Sequence, residues 1–472
     1  MSRASVAVVV AAAVIGALAT PAFAADVTVN NGATLEAAVV VATPGETITL
    51  LDGTYILDKV IVAAASGSAG APIRLVSAMR AHGASITAAP GAEEAILVQA
   101  PYWIFDGIDF SGGTYGVRFV TAGQNGVISN ALFSDQAVAG IRADCGGPDT
   151  SAHCDGGSLQ TIEVTRASTV AGCIYAGIEI VGAQNWTIQD ALVHDVAVDS
   201  LGCAGVNTVY GIAVRGNSSN ITVDAAAVAG AAIGVALGPP SQACEVRGAV
   251  STGTSCTIPT TCEASSSLVS NALIWDTTFE GVQLNDACAV DLHNATLWND
   301  GGPRSVETIG AGSVDISNCI LNSAPVLSSG VTNTGAGNLT LPSTADTTWF
   351  IDTTTNNFRL LASAPAVDKG VALADVPADF DGIKRPQGSQ YDVGAFERPT
   401  DGYPDGGIPM LDGGIDGSTG SGSTGTGGTG ISGGTEPQKT SGCDIGAGSS
   451  VGALGLVFAL ILALLVRRRV RS

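Results

Sequence analysis

The chain has 472 residues, with 42 acidic and 20 basic side chains and a formal net charge of −22. This length suffices for one long solenoid or for two to three ordinary domains. A chain this acidic repels phosphate backbones, which excludes nucleic acid as a partner and disfavours acidic polysaccharides, unless cations bridge them or basic residues cluster locally.

The N-terminal 24 residues are typical of a secretory signal peptide. Arg3 precedes an apolar run over residues 6–18, and Ala22 and Ala24 have the small-residue spacing of a signal-peptidase site. The alternative is a retained membrane helix, although the apolar run is short for that role. We expect cleavage after Ala24 and a mature chain outside the cytoplasm.

Residues 34–41 form the one helix-like stretch, and a long β-rich region follows it. The ends of a β-solenoid need a cover, because an exposed sheet edge promotes pairing with other chains. We therefore expect this helix to cap the first coil.

A short motif recurs through the middle of the chain, with glycine, then valine or isoleucine, and an apolar residue two positions later. Apolar alternation of this kind predicts a short strand whose second and fourth residues face inward. The motif occurs at 116–120, 140–144, 177–181, 211–215, 234–238 and 281–285.

A second motif places asparagine or aspartate between two apolar pairs. It is centred on Asp106, Asn130, Asp190, Asp224, Asn271, Asn294 and Asn318. Successive centres lie 23 or 24 residues apart where no long loop intervenes, as expected for one coil of a parallel β-helix with two or three short strands. Asn and Asp tolerate left-handed backbone angles, so we expect these residues at turns, stacked as a structural amide ladder.

The segment at residues 33–55, ATLEAAVVVATPGETITLLDGTY, is similar to the opening of pectin-lyase-like right-handed β-helix proteins. Residues 358–361, 363–370, 381–382, 385–386 and 392–397 resemble the closing segment of bacterial β-helix surface proteins. The resemblance implies an all-β, right-handed parallel β-helix over residues 25–398. It says little about activity, because this superfamily contains lyases, hydrolases, epimerases and binding proteins.

Ten cysteines favour disulfides in an oxidising compartment. Nine of them lie between Cys145 and Cys319, so that one thiol stays free or pairing is incomplete. Cys145 and Cys154 bracket a Gly/Pro-rich loop and are the first expected pair, with a zinc site that includes the neighbouring histidine as the alternative. Cys173 and Cys203 precede equivalent strands and are candidates for a bridge between coils.

The third and fifth residues of the glycine motif face outward if the second and fourth face inward. The two outward rows are Arg118, Arg142, Glu179, Ala213, Ala236 and Gln283, and Val120, Asp144, Val181, Arg215, Gly238 and Asn285. Long loops border this rigid face, as is usual around binding sites, so we expect a saccharide groove here. The candidate ligand-binding residues are Arg118, Gln283 and Asn285.

Two kinds of catalysis remain open beside carbohydrate binding. The candidate catalytic residues are Arg142, Asp144, Glu179 and Arg215. A lyase needs a base and a positive charge beside the uronate, and related β-helix lyases use lysine, arginine and calcium. The four lysines of this chain lie outside the central coils. A glycosidase needs two carboxyl groups roughly 5–10 Å apart, which Asp144 and Glu179 would supply on neighbouring strands. No cofactor is evident, and calcium is the one possibility.

Residues 399–442 form a linker rich in Gly, Ser, Thr and Asp, which has no apolar pattern that would bury a core. The apolar stretch 445–466 is long enough to span a bilayer, and the arginines after it would stay on the cytoplasmic side. Cys443, this stretch and the arginines resemble the MYXO-CTERM sorting signal over residues 443–472. The resemblance implies a sorting protease that acts near Cys443 and attachment at the cell surface. The alternative is a plain membrane-spanning anchor.

The sequence thus predicts an exported, surface-bound β-helix protein with carbohydrate as its ligand. Binding or adhesion is favoured over cleavage, because no convincing catalytic set emerges from the motifs. A polysaccharide lyase or glycoside hydrolase acting on the outward strand face is the alternative.

Overall fold

The computed structural model describes residues 26–403 except 80–81, 121, 147–153, 167–173, 197–207, 239–263, 286–288, 299–303, 310–311 and 343–344. The expected signal peptide, the linker beyond residue 403 and the sorting signal with its apolar helix lie outside the described residues, as do Ala24 and Cys443. Within the described residues no helix has the length and apolarity that a membrane crossing requires.

The predicted cap helix is present as α1 (Gly32–Val41). Its N-cap is Asn31, whose Oδ1 accepts the backbone N–H of Thr34 at 3.0 Å and so satisfies one of the free donors of the first turn. Leu35 and Val39 are buried against the first coil. The prediction of a helix that covers this end is confirmed.

Each coil passes through three parallel sheets in turn. Sheet 1 contains β1 (Val27–Val29), β2 (Thr47–Leu50), β5 (Ile73–Ser77), β8 (Trp103–Asp106), β18 (Thr222–Asp224), β22 (Ser267–Ser270), β25 (Val290–His293), β28 (Gly312–Ser317) and β30 (Val331–Asn333). Sheet 2 contains β3 (Gly53–Ile56), β6 (Ala84–Thr87), β9 (Ile108–Ser111), β19 (Ala227–Ala229), β23 (Leu273–Trp275), β26 (Thr296–Trp298), β29 (Ile320–Leu321) and β31 (Leu339–Thr340). Three longer strands, β11 (Val127–Ser134), β13 (Ser158–Arg166) and β15 (Thr187–Val196), run through both sheets.

Sheet 3 is separate and has nine strands within the part of the chain that the structure describes. They are β4 (Ile61–Ala63), β7 (Glu94–Val98), β10 (Tyr115–Val120), β12 (Ala139–Asp144), β14 (Ile174–Val181), β16 (Thr208–Arg215), β20 (Ile233–Leu237), β24 (Glu280–Asn285) and β27 (Arg304–Ile309). A small side pair joins β17 (Ser218–Ser219) to β21 (Ala264–Ser265), in parallel as in the three sheets. The last coil is followed by α2 (Ala345–Thr348), β32 (Phe350–Asp352), a 3-10 turn (Thr353–Thr355) and β33 (Asn357–Leu360).

The interior of the coil is a set of columns in which each apolar side chain lies on its equivalent from the coil before. One column in sheet 3 contains Ile61, Ile96, Val117, Ile141, Ile178, Ile212, Val235, Val282 and Val306. Aromatic rings stack in the same way, as for Phe110 and Phe133, whose centroids are 4.9 Å apart. Since no coil buries its apolar side alone, this stacking is the core of the fold. The parallel β-helix prediction is confirmed.

The turn between sheets 1 and 2 needs one residue with a left-handed backbone, and the asparagine motif supplies it. Asn130, Asp190, Asn271, Asn294 and Asn318 have φ angles between 50° and 55°. For Asp106 and Asp224 the predicted position of the turn was wrong by one residue.

Asp106 pairs with Ser129 and Asp224 with Gln189, each one position before the turn. The turn residues of these coils are Gly107 and Ala225, with φ angles of 72° and 50°. Because alanine does not favour a positive φ, Ala225 shows that the stacked coils impose this conformation.

The expected amide ladder forms only in part. Asn318 Nδ2 lies 3.4 Å from Asn294 Oδ1, but the stronger partners of both residues belong to residues 345–403, which we call the closing segment. Asn294 donates to the carbonyl of Asp392 at 3.1 Å, and Asn318 donates to the carbonyl of Val371 at 2.7 Å. The turn residues of the last coils therefore bind the closing segment to the helix.

The disulfide expected between Cys145 and Cys154 is present, with Cα atoms 5.0 Å apart. This bond excludes the alternative zinc site, because both sulfurs are used. Cys319 is a buried free thiol. Cys173 and Cys203 lie outside the described residues.

Candidate functional site

The outward rows predicted from the glycine motif lie in register across sheet 3. Arg118 pairs with Arg142, and Arg142 with Glu179. The row continues through Ala213 and Ala236 to Gln283. In the second row Val120 pairs with Asp144, Asp144 with Val181, and Val181 with Arg215. The prediction of which side chains share a row is confirmed for the first row and, in the second row, from Val120 to Arg215.

Glycine begins the motif because successive coils approach too closely for a side chain. A Cβ atom at Gly211 would lie 2.3 Å from Cγ1 of Val228 and 2.5 Å from the carbonyl oxygen of Gly234. Any larger residue would push the turn away from sheet 2. The glycine thus permits the close approach of neighbouring strands on which the outward rows are arranged.

The exposed end of the outward face is an array of ion pairs. Arg118 Nη1 lies 2.9 Å from Glu93 Oε1, and its Nη2 lies 2.9 Å from Asp144 Oδ2. Arg142 Nε lies 3.5 Å from the same oxygen of Asp144. Two arginines therefore hold one carboxylate, which orients all three side chains.

The array continues into the protein at Glu179. Arg142 Nη1 lies 2.7 Å from Glu179 Oε2, and Arg215 Nε lies 3.3 Å from Glu179 Oε1. Side-chain exposure falls from 62% at Glu93 to 26% at Asp144 and 1% at Glu179. Of the four candidate catalytic residues, Arg142 and Asp144 are accessible, whereas Glu179 and Arg215 are buried and cannot meet a large substrate directly.

A third outward row was missed in the sequence. It contains the residue before the glycine of each of the six motifs and is extended at its ends by Glu94 and Arg304, and its members are Glu94, Tyr115, Ala139, Ala176, Tyr210, Ile233, Glu280 and Arg304. Tyr115 lies beneath two arginines, with Arg118 and Arg142 at 5.5 Å and 5.4 Å from its ring centroid, and its hydroxyl accepts from Arg142 at 3.3 Å. The alternation in the sequence could not reveal this row, because the residue before the glycine has the same parity as the inward second and fourth residues.

Glu94 is the second member of this row with chemical interest. It is buried, and its Oε2 lies 3.8 Å from Arg118 Nη1. Burial raises the pKa of Glu94, the adjacent charge of Glu93 raises it further, and Arg118 opposes both effects. The face therefore combines one carboxyl group that favours its proton with carboxylates bound by arginine.

Gln283 does not belong to the same cluster as Arg118. Between them lies a buried apolar patch that includes Tyr210, Ala213 and Ala236, and Gln283 is itself buried. At the far end, Arg304 Nη1 lies 3.7 Å from Glu280 Oε1 in a separate group of charges. Asn285 ends β24, where its backbone pairs with Ile309. Arg118 and Gln283 therefore do not line one continuous accessible groove, contrary to the prediction that both bind the ligand.

The residues on this face do not fit a calcium site. Among the described residues, no three side chains of His, Cys, Asp or Glu are arranged to hold a metal ion. Glu93, Glu94 and Asp144 surround the guanidinium of Arg118, which takes the place that a cation would need. Positive charge on this face is supplied by arginine.

Comparison with known proteins supports the fold. No protein-family model matches the chain, and no curated protein sequence matches it. The chain is similar to the crystal structure of pectate lyase Pel9A, with 16% identity, a TM-score of 0.52, and coverage of 77% of this chain and 90% of that chain.

Two further solved structures are more distant. The alginate lyase from Paenibacillus sp. str. FPU-7 has 14% identity and a TM-score of 0.46, and covers 67% of this chain and 99% of its own. A rhamnogalacturonan lyase has 12% identity and a TM-score of 0.36, and covers 76% of this chain and 99% of its own. The similarity to pectate lyase Pel9A supports a pectate-lyase-like parallel β-helix fold for this chain.

Proposed function

We propose that the exposed end of sheet 3 binds an uncharged carbohydrate chain without cleaving it. The observation that carries this proposal is the array of Glu93, Arg118, Asp144 and Arg142, whose side chains hold one another in position above Tyr115. Side chains that are already ordered lose little entropy when a ligand binds. Their remaining donors and acceptors suit the neighbouring hydroxyl groups of a sugar.

Charge balance on this face favours a neutral ligand. Each accessible arginine is already bound by a carboxylate, so neither is free to neutralise a uronate. A uronate would also approach Glu93, whose side chain is 62% exposed. Like charges in close contact cost affinity and steer such a ligand away.

The arrangement also argues against cleavage by a lyase. No strand of sheet 3 contains a lysine. Asp144 is contacted by two guanidinium groups, which compete with a substrate proton for its oxygens. A general base needs an oxygen that can reach the substrate proton.

A binding panel tests the proposal. Soluble β-glucan, galactomannan, homogalacturonan and alginate would be compared by affinity electrophoresis and calorimetry with the full mature chain. We expect binding to a neutral polymer, and about tenfold weaker binding after Arg118→Gln. Gln283→Ala, in the same row beyond the apolar patch, is the matched control and should bind normally. Equal binding of the acidic polymers, or no effect of Arg118→Gln, would contradict the proposal.

A glycoside hydrolase is the second candidate, because Glu94 and Asp144 are two carboxyl groups that contact the guanidinium of Arg118. Glycosidases use two carboxyl groups, one of which donates a proton and has a raised pKa, as Glu94 has. Release of reducing ends from any neutral polymer, abolished by Glu94→Gln but retained in Gln283→Ala, would establish this function. Formation of the unsaturated product of a lyase, followed by ultraviolet absorbance, would exclude both candidates.

We also propose that the protein acts at the cell surface. The signal-peptide pattern, the flexible linker and the sorting-signal resemblance support export, with a sorting protease and the membrane as partners. The disulfide between Cys145 and Cys154 supports an oxidising compartment. Mass spectrometry of the mature chain tests this, since a chain that begins after Ala24 and ends near Cys443 is expected. A retained Arg471 would instead indicate a plain membrane anchor.

A further inference from the structure

A cavity of about 520 Å³ lies away from sheet 3, at the corner between sheets 1 and 2. The turn residues of three coils, including Asp190 and Ala225, form one wall. The closing segment forms the opposite wall through residues that include Arg359 and Phe380. Binding sites for small molecules are typically clefts of 300–1,000 Å³ with an apolar lining and a few polar groups.

One side of the cavity is aromatic. Trp275, Phe380 and Phe396 line it, and the rings of Phe380 and Phe396 lie 5.3 Å apart. Trp275 is 8% exposed and is fixed from behind by Phe358, at 6.0 Å between centroids. Such a rigid aromatic surface favours the apolar face of a sugar ring and any cation held over it.

The basic side chain in the cavity is already neutralised. Arg359 donates to both carboxylate oxygens of Asp381, at 2.6 Å and 2.8 Å. Its guanidinium also lies over the ring of Phe396, 5.4 Å from the centroid. Arg359 therefore shapes the wall and has little charge to offer an anionic ligand.

Asp190 and Asp224 face the cavity without a basic partner among the described residues. They lie on adjacent coils, where Gln189 pairs with Asp224. Asp224 accepts hydrogen bonds from Ser270 and Asn271, at 2.7 Å and 3.0 Å, through a single oxygen. Burial raises the pKa of Asp190, and the charge of Asp224 raises it further. A cation between the two carboxylates would relieve this repulsion.

We propose that this cavity binds a sugar residue that carries a free amino group, as in an oligomer of glucosamine. The ammonium group lies between Asp190 and Asp224, and the sugar ring packs on Trp275. Gln189 and Asn356 line the same cavity and supply amide groups for the hydroxyls. The acidic pair excludes uronates, and the overall charge of −22 attracts a polycationic glycan. The site is independent of the proposed function of sheet 3.

Calorimetry with the mature chain tests the proposal at a pH at which the amine is protonated. Glucosamine oligomers should bind, whereas N-acetylglucosamine oligomers of equal length should bind at least about tenfold more weakly, because they lack the charge. Asp190→Asn should weaken binding about tenfold while it keeps a residue suited to the left-handed turn. Trp275→Leu should weaken it by a similar factor.

Asp195→Asn is the matched control, since Asp195 lies on the same strand, also has a positive φ of 52°, and does not line the cavity. It should bind glucosamine oligomers normally. Equal affinity for the acetylated oligomers, or equal affinity for a lysine oligopeptide, would overturn the proposal. Loss of binding in Arg118→Gln would overturn it too, by placing the ligand on sheet 3. Failure of the sheet 3 proposal alone would leave these results unchanged.

Discussion

The outer face of sheet 3 and the corner beneath the closing segment use ionic groups in opposite ways. On sheet 3 the array runs from Glu93, with 62% side-chain exposure, to Glu179, with 1%. Under the closing segment, Arg385 and Glu397 form an ion pair at 3.0 Å with both side chains fully buried. The first arrangement leaves groups accessible to a ligand, whereas the second uses both terminal nitrogens of Arg385 internally and attaches one part of the chain to another.

The comparison shows how a repeat generates different surfaces from one interior. Stacked inward columns lie beneath both regions, so this stacking determines the path of the backbone and leaves the outward residues free to differ. An accessible charge is available for recognition, and a buried charge with many partners marks structure. Burial is therefore the first criterion for separating binding residues from structural ones on this scaffold.

The largest expected loss of stability follows from substitution of Arg385. Its guanidinium binds Glu397, the Oδ1 atom of Asn271 at 3.1 Å, and the carbonyl groups of Asp392 and Gly394. Arg385→Met strands a buried carboxylate, and we expect a loss of about 3–5 kcal/mol in the free energy of unfolding. Urea denaturation followed by circular dichroism measures it.

Arg74→Met is the control for Arg385→Met, because Arg74 is exposed on sheet 1. It should change the free energy of unfolding by no more than about 0.5 kcal/mol. An equal effect of the two substitutions would show that the buried pair does not hold the closing segment.

The second effect contrasts the two ends of the sheet 3 array. Glu179→Ala leaves Arg142 and Arg215 without their shared carboxylate, and we expect a loss of about 2–3 kcal/mol, since hydrogen bonds to charged groups are removed. Glu93→Ala removes an exposed ion pair and should cost less than about 1 kcal/mol. Thermal and urea denaturation measure both losses of stability. A larger loss for Glu93→Ala than for Glu179→Ala would contradict the use of burial to separate structural residues from binding residues.

The third effect concerns two equivalent turn residues. Asn318 is buried, donates to the carbonyl of Val371 and accepts its N–H, each at 2.7 Å. Asn130 is partly exposed, and its amide donates to Asp106 at 2.7 Å. We expect Asn318→Ala to cost about 1–3 kcal/mol, and Asn130→Ala to cost less, because water replaces the lost partner. Equal losses in urea denaturation would mean that the turn conformation, and not the closing segment, sets the cost.

The sequence was sufficient to predict the repeating coils and the rows of side chains on them. It was insufficient to predict contacts that do not follow the repeat. The period of the motif places Arg118, Arg142 and Glu179 in one row, because parallel register follows from the repeat alone. Two misplaced turn residues, Asp106 and Asp224, show the limit of this logic. Residue type favours a left-handed turn, but the register of neighbouring strands decides which residue takes it.

The cavity and the burial of Glu179 were beyond sequence reasoning for a different reason. Both depend on contacts between segments with no shared period, such as Asp190 and Phe380 on opposite walls of the cavity. Motif spacing contains no information on where the closing segment folds back. The alternation likewise places Glu179 in an outward row but does not predict the depth at which it lies.

The smallest expected effect is a dependence of stability on pH that comes from His194 in β15. His194 bonds Glu163 at 3.0 Å and Asp195 at 2.8 Å. The hydrogen bond with Glu163 and then that with Asp195 raise the pKa of His194, against the effect of burial. A raised pKa in the folded state means that the stabilisation is complete below the unfolded value of about 6.5 and is lost as the pH rises through the folded value.

We therefore expect the free energy of unfolding to decrease with rising pH above about 6.5, by less than about 1 kcal/mol from this group because its partners are partly exposed. His194→Gln should flatten the decrease. His82→Gln provides an internal comparison, since the hydrogen bond to Asp109 also raises the pKa of His82 and should leave a similar, separable contribution. Urea denaturation across the pH range measures each slope, and a slope unchanged in both variants would show that neither histidine is coupled to folding.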